Sequence, residues 1–345
     1  MIGHAKTTPT RVAFLAGIAL ALAAWLTSAS AEPLKLRIGW AQAPTQLTPL
    51  TAELMARHKE LFRGKDVSYT LEPLRFQGST PQIQGLASNQ LDIAALGPSS
   101  FALAVANAHL DGRIIADLME DGVPGHFITY WAVRKDGPVH TVEDLRHRRA
   151  AVNALGTMTD MILRENLRHH GVADTDYVVI EANFANMFAM MENDKVDVVP
   201  VMPQFNHDFE GSGRYRPLFH LNEIVGVSQV GMWVARADFI AAHRAALVDF
   251  LADNMRSVRW FLAPENREEA LAIAQSVTKE SRAALDYAFG PGDIYRSPDL
   301  LPNIQAVQKD IDQAVEMKLL PSRIVVDPGY VDLSLVAEAK ARIDK

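Results

Sequence analysis

The chain has 345 residues, 48% of them hydrophobic, with 34 Lys and Arg against 41 Asp and Glu and no cysteine. That length holds one large domain or two medium ones. A net charge of −7 excludes a binder of nucleic acid or anionic membrane, which needs a basic surface to release counterions. The missing cysteines exclude thiol nucleophiles, disulfides, Fe–S clusters, Cys-ligated zinc and a lipid-modified N-terminal cysteine.

Residues 1–31 read as a secretory signal peptide. Lys6 and Arg11 precede an apolar run from Val12 to Leu26, and the small residues Ala29-Ser30-Ala31 give an A-x-A cleavage site after Ala31. The run is shorter than the ~18 residues of a membrane span. Cleavage removes two bases and no acids, so 32 bases against 41 acids leave the mature chain at a formal −9. A soluble protein in the periplasm is the expectation, in a compartment where lacking Cys avoids unwanted disulfides.

From Leu34 onward the chain alternates strands and helices. Leu34–Trp40 alternates apolar and polar residues as a strand does, and Leu47–Phe62 has helical spacing of Leu50, Leu54 and Leu61. Strands are predicted over 67–74 and 92–96, with helices over 81–88 and 101–108. A second series follows, with strands over 127–133, 150–152, 177–181 and 196–201. Its helices are predicted over 141–145, 161–170 and 183–193, and the Thr141…Asp144 spacing suits an N-cap. Beyond Asp238 the pattern is mostly helical, over 239–261, 267–277, 279–289 and 301–317. Repeated strand–turn–helix units predict parallel sheets covered on both faces, and two such series suggest two lobes.

Signatures of common enzymes are missing: no G-x-x-x-x-G-K-[ST], H-E-x-x-H, G-x-S-x-G or G-x-G-x-x-G occurs. The adjacent His169-His170 suit a helix C-terminus better than a metal, because i,i+1 neighbours on a helix do not share a direction. Neither metal nor cofactor is expected. What recurs is a strand end in small, hydroxyl or amide residues just before a helix: Gln42-Ala43-Pro44-Thr45, Gln77-Gly78-Ser79-Thr80, Gly97-Pro98-Ser99-Ser100 and Gly156-Thr157-Met158-Thr159. Any one of these is ordinary N-cap chemistry. Four of them along one sheet edge bring helix N-termini together, where free N–H groups suit a small polar or anionic ligand.

Five segments, in order, carry a resemblance to a family. They are Arg37-Ile38-Gly39-Trp40, Gln84-Gly85-Leu86-Ala87-Ser88-Asn89-Gln90-Leu91-Asp92-Ile93-Ala94, Thr141-Val142-Glu143-Asp144-Leu145-Arg146, Asn183-Phe184-Ala185 and Lys195-Val196-Asp197-Val198. With the signal peptide, this order resembles the periplasmic solute-binding proteins of ABC importers, in the nitrate/sulfonate/taurine branch. One departure is that the Lys-Gly-Lys-like residues usual after Asp-Leu are Arg146-His147-Arg148-Arg149 here, without glycine.

The resemblance implies an α/β fold of the type II periplasmic binding protein class, with a ligand cleft between two lobes and two crossing hinge segments. Lobe 1 would be 32–129 plus 232–345, and lobe 2 would be 130–231, with crossings near 127–133 and 227–235. By this mapping the cleft takes Trp40, Gln42, Gln77, Ser79, Gly97 and Ser99 from the first lobe. Thr157, Thr159, Asp160 and Gln204 come from the second. The implied partners are the solute and an ABC permease with its ATPase, and a monomer is the family default.

None of the proposed loops carries Lys or Arg, so a dianion would lack a guanidinium partner. A singly charged anion or a neutral polar molecule fits better, in the sulfonate, taurine, aromatic carboxylate or pyrimidine-precursor class. Arg75 and His126 would change this if they turned inward, and Asp160 would admit a zwitterion. Met158, Met161, Met187, Met190, Met191 and Met202 gather in one lobe, mostly as core. The expectation is a binding protein and not an enzyme. The alternatives are an enzyme on the same fold, of the pyrimidine-precursor or menaquinone-pathway type, and an exported ligand sensor.

Overall fold

The computed structural model describes residues 1–3 and 32–344. The expected signal peptide therefore lies almost wholly outside the described residues. In chain order the regular elements begin with β1 (Leu34–Trp40), α1 (Thr48–Arg57), β2 (Tyr69–Arg75), α2 (Ser79–Ala87), β3 (Ile93–Leu96), α3 (Pro98–Ala108) and β4 (Gly112–Asp121). Next come β5 (Tyr130–Arg134), β6 (Arg149–Val152), α4 (Met158–His169), β7 (Val178–Glu181), α5 (Phe184–Glu192), β8 (Val199–Val201), α6 (Asn206–Gly211), β9 (Tyr215–His220) and α7 (Leu221–Val225). The chain ends with β10 (Ser228–Arg236), α8 (Ala237–Leu262), α9 (Arg267–Thr278), α10 (Ile304–Glu316) and α11 (Ser334–Ile343).

The strands form a five-stranded sheet in the order β2-β1-β3-β10-β4, a three-stranded sheet β8-β5-β9 and a two-stranded sheet β6-β7. An isolated bridge from Ala150 to Val198 ties the last two together. The larger sheet is sandwiched between two cores, as the period-2 alternation of side chains requires. Ile93, Ala95 and Trp233 face the core covered by α1 and α8, while Ala94, Leu96, Met232 and Val234 face the one covered by α3 and α10. In the smaller sheets Trp131 and Val133 face one core, and Tyr130 and Ala132 the other.

Three expectations need correction. The sheets are mixed, not purely parallel: β10 runs antiparallel to β3 and β4, and β5 antiparallel to β8 and β9. A strand's residue pattern records which faces are buried but not the direction of its neighbour, so the alternation could not show this. No helix forms over 279–289, where 282–289 are turns, because Lys279 takes the left-handed conformation (φ 65°) that ends α9. Finally, β10 runs whole through the larger sheet, so the boundary expected at 231/232 falls inside a strand.

Two of the five segments that carry the family resemblance, those holding Asp92 and Asp197, turn out to be one device used twice. After α2, Asn89 is left-handed (φ 59°), and three residues on, the Asp92 carboxylate accepts the Arg37 backbone N–H at 2.9 Å and its Nε at 3.0 Å. After α5, Asp194 is left-handed (φ 53°), and three residues on, Asp197 accepts the Arg149 N–H at 2.9 Å and its Nε at 3.0 Å. Each carboxylate ties the return from a helix to a strand: Asp92 to β1, and Asp197, just before β8, to β6 across the Ala150–Val198 bridge. His147, where the resemblance expects glycine, keeps a left-handed φ of 61°.

The chain passes from the larger sheet to the smaller ones just after Asp121 and comes back just before Ser228. Asp121, fully buried, accepts the N–H groups of Gly122 at 2.6 Å and Thr129 at 3.1 Å. Gly122 has φ 83°, and a Cβ there would run into the carbonyl oxygen of Gly226, itself at φ 67°. Gly122→Ala is therefore expected to destabilise the protein by about 3 kcal/mol through left-handed strain and overpacking. Denaturant unfolding checks this, and a loss below about 0.5 kcal/mol, the range of a neutral surface change, would rule it out.

Candidate functional site

A cavity of about 210 Å³ lies between the larger sheet and the smaller ones, and helix N-termini from both sides open onto it. Ser79 begins α2, Gly97-Pro98-Ser99-Ser100 begins α3, and Thr157-Met158-Thr159 begins α4. The first-turn N–H groups of such helices have no intrahelical acceptor, so they are free for a ligand.

Of the residues expected in a cleft, Gln42, Ser79, Gly97, Ser99, Thr157 and Thr159 all line this cavity. The other four stand elsewhere. Gln204 sits beside it, donating from Nε2 to Gln42 Oε1 at 3.2 Å and accepting from Thr45 Oγ1 at 3.4 Å, which bridges the two sides. Asp160 is fully buried within its own turn, where it accepts the Gly156 N–H at 2.9 Å and Arg164 Nε at 2.7 Å. A first-turn carboxylate is better served by the helix's own N–H groups and an i+4 arginine than by the open cavity. Gln77 is exposed on the loop before α2. Trp40 lies half-buried under the Arg75 guanidinium, 5.5 Å from its ring centroid. That stacking carries Arg75 away from the cavity, and His126 packs edge-on against Tyr295 at 5.2 Å.

Sequence reasoning missed several lining residues: Thr45, Gln46, Asn153, Phe184, Ser228, Gln229, Asp310 and Gln313. Asn153 organises the smaller-sheet side, its Oδ1 accepting the hydroxyls of Thr157 at 2.7 Å and Thr159 at 2.5 Å. Gln229 is held fast, its Nε2 donating to Asp117 Oδ1 at 2.6 Å and its Oε1 accepting the Asn303 N–H at 2.7 Å. Asp310 comes from α10, where it shares the buried stripe with Ala306, Val307, Ile311 and Ala314. A carboxylate on an apolar stripe was the signal that could have found it. Its Oδ2 accepts the Ser228 hydroxyl at 2.9 Å, and burial pushes its pKa up to about 7.

The lining has no Lys, Arg or His. Its apolar part includes Met119, Met158, Met161, Met202 and Phe184. Of the six methionines gathered in the sequence, Met187 and Met191 are instead core. Among the described residues no group of His, Cys, Asp and Glu is placed to hold a metal ion, and no helix is long and apolar enough to cross a membrane.

The model of the NMT1-like family matches residues 29–275. The chain belongs to this family. No curated protein matches it in sequence. Solved structures similar to this NMT1-like protein include the alkanesulfonate-binding protein SsuA from Xanthomonas axonopodis pv. citri bound to MOPS, at 19% identity and TM-score 0.66, covering 88% of this chain and 99% of that one. The periplasmic nitrate-binding protein NrtA from Synechocystis PCC 6803 is similar at 16% identity and TM-score 0.68, with 91% and 90% covered. The desulfurization enzyme DSZB is similar at 12% identity and TM-score 0.66, with 90% and 99% covered. The NMT1-like protein thus has the α/β fold of the periplasmic binding proteins, a fold that an enzyme also uses.

Proposed function

We propose that the chain is the solute-binding component of an ABC importer, exported to the periplasm, which closes two lobes on a small polar solute and delivers it to a permease. The observation that carries this is the convergence of helix N-termini from both sides on one cavity, bridged by the Gln42–Gln204 hydrogen bond. Residues 34–121 with 228–344 form one lobe and 130–225 the other, joined at 122–129 and 226–227. Hinge closure concentrates its backbone change at such crossings. At the cavity the enzymatic alternative finds one acid–base candidate, Asp310, and no His or Lys in the lining and no Cys in the chain to act with it.

A thermal-shift screen tests the reading, over alkane- and arylsulfonates, taurine, nitrate, aromatic carboxylates and pyrimidines. A solute at 100-fold excess over Kd stabilises the protein by about 2.7 kcal/mol. If nothing shifts the transition and a candidate compound is turned over instead, the chain is an enzyme. The double variant Gln42→Ala/Thr157→Ala is expected to weaken the solute by roughly ten-fold to a hundred-fold, at ~1 kcal/mol or more per lost hydrogen bond, with the fold intact. Unchanged affinity in calorimetry would place the solute elsewhere.

A further inference from the structure

We propose that the solute carries a nitrogen-bound proton donor, neutral or cationic, which the Asp310 carboxylate receives. This rests on the solute-binding reading and narrows the class of solute. Asp310 lines the cavity at 6% exposure, and one of its oxygens holds the Ser228 hydroxyl. It also accepts the Gln229 backbone N–H, and among the described residues no cation pairs with it directly. Lys309, the neighbouring cation on α10, donates its ammonium to the Val225 carbonyl. The Gln229 amide gives its protons to Asp117, Met119 O and Gly231 O.

Across the cavity, the Thr157 and Thr159 hydroxyls direct their single protons to Asn153 or to the Ala154 carbonyl, leaving lone pairs for a ligand. A buried carboxylate without a cation is costly, and the cost is recovered when a ligand N–H completes it. A solute that is only an anion would bring a second negative charge against Asp310. A zwitterion fits, with its anionic end at the helix N-termini, and so does a neutral nitrogen heterocycle bearing an amino group.

Calorimetry with three matched pairs tests this: taurine and ethanesulfonate, 4-aminobutyrate and butyrate, 4-aminopyrimidine and pyrimidine. In the pair that binds, the amino member is expected to bind about ten-fold tighter or more, the scale of one charge-assisted hydrogen bond. Asp310→Asn is expected to erase that preference, by weakening the amino member and, where the amine-free member is an anion, by removing the charge that opposes it, while unfolding stays cooperative. Ser228→Ala, which keeps the carboxylate, is expected to retain the preference. Equal or tighter binding of the amine-free member, or a preference that survives in Asp310→Asn, overturns the inference and leaves the solute-binding reading standing. If none of the six binds and the solute found in the thermal-shift screen has no N–H, the inference is overturned and the solute-binding reading stands.

Discussion

Arg296→Met is expected to lower the unfolding free energy by about 3–5 kcal/mol, the cost of leaving a buried carboxylate without its partner. Arg296 is 3% exposed and Asp293 2%. Arg296 Nη1 meets Asp293 Oδ2 at 2.9 Å, and Asp293 also accepts the N–H groups of Phe289 at 3.0 Å and Ile294 at 2.8 Å. Methionine fills much of the volume but supplies no donor. The same guanidinium donates to the Thr45 carbonyl from Nη2 at 2.8 Å and from Nε at 3.2 Å. Thr45 lines the cavity and contacts Gln204, so the variant is expected to weaken solute binding as well. In a denaturant titration the midpoint should fall while the slope stays constant. Adding Asp293→Asn should restore part of the loss, since it removes the stranded charge. A loss below about 1 kcal/mol for Arg296→Met, the scale of a solvent-exposed pair, would refute the account.

Stability is expected to fall as pH rises from about 4 to about 7. Burial is the largest cause in each of three carboxylates: it pushes Asp117 and Asp310 up to about 7, and Asp121 up to about 6. Around Asp117 stand the Ser297 N–H, the Gln229 amide, Glu120 and Arg296. Around Asp121 stand Thr129 and the Gly122 N–H, and around Asp310 the Ser228 hydroxyl, Lys309 and the Gln229 N–H. Their ordinary value is 3.8, so within this window the folded protein holds protons that the unfolded chain releases. The folded state is then favoured at the acid end, and that advantage is gone above pH 7. For Asp117 or Asp310 the rise corresponds to at most ~4 kcal/mol.

Opposed to these are carboxylates held low by arginines, such as Asp174 by Arg168 and Asp312 by Arg323. Their contribution is present above the unfolded pKa and is lost only as pH falls through the folded one. Melting temperature is therefore expected to be higher at pH 5 than at pH 8. Asp310→Asn, whose Ser228 partner can accept as well as donate, should flatten part of that slope and raise the melting temperature at pH 8. An unchanged slope in that variant would mean Asp310 does not titrate here. A gain in stability from removing a group in the cavity is the pattern of a residue kept for binding.

Local chemistry made much of the cavity legible. The turns at Gln42, Ser79, Gly97 and Thr157 are strand-to-helix junctions, and junction residues betray themselves by type: small, hydroxyl or amide, next to an apolar run. Their convergence follows from chain direction, because the strands that precede them each enter their helix at the same end. Asp160 and Trp40 misled for the same local reason. Each sits beside a junction, but the Asp160 side chain is satisfied by Gly156 and Arg164, and the Trp40 ring lies under Arg75. Neither partner's orientation is written in the neighbouring sequence. Strand β4 was overlooked because it carries three acids, Asp117, Glu120 and Asp121, that read as surface and are buried.

By itself the sequence determined the alternation of strands and helices, the junctions that supply free N–H groups, and the absence of Lys and Arg from those junctions. These depend on interactions a few residues long. Only the tertiary structure decided that Ser228, Gln229 and Asp310 complete the cavity, that the sheets are mixed, and that Asp92 and Asp197 perform the same task in separate sheets. Those facts depend on which distant segments pack together. A carboxylate's partners, and so its charge, come from burial and neighbours that the packed chain alone supplies.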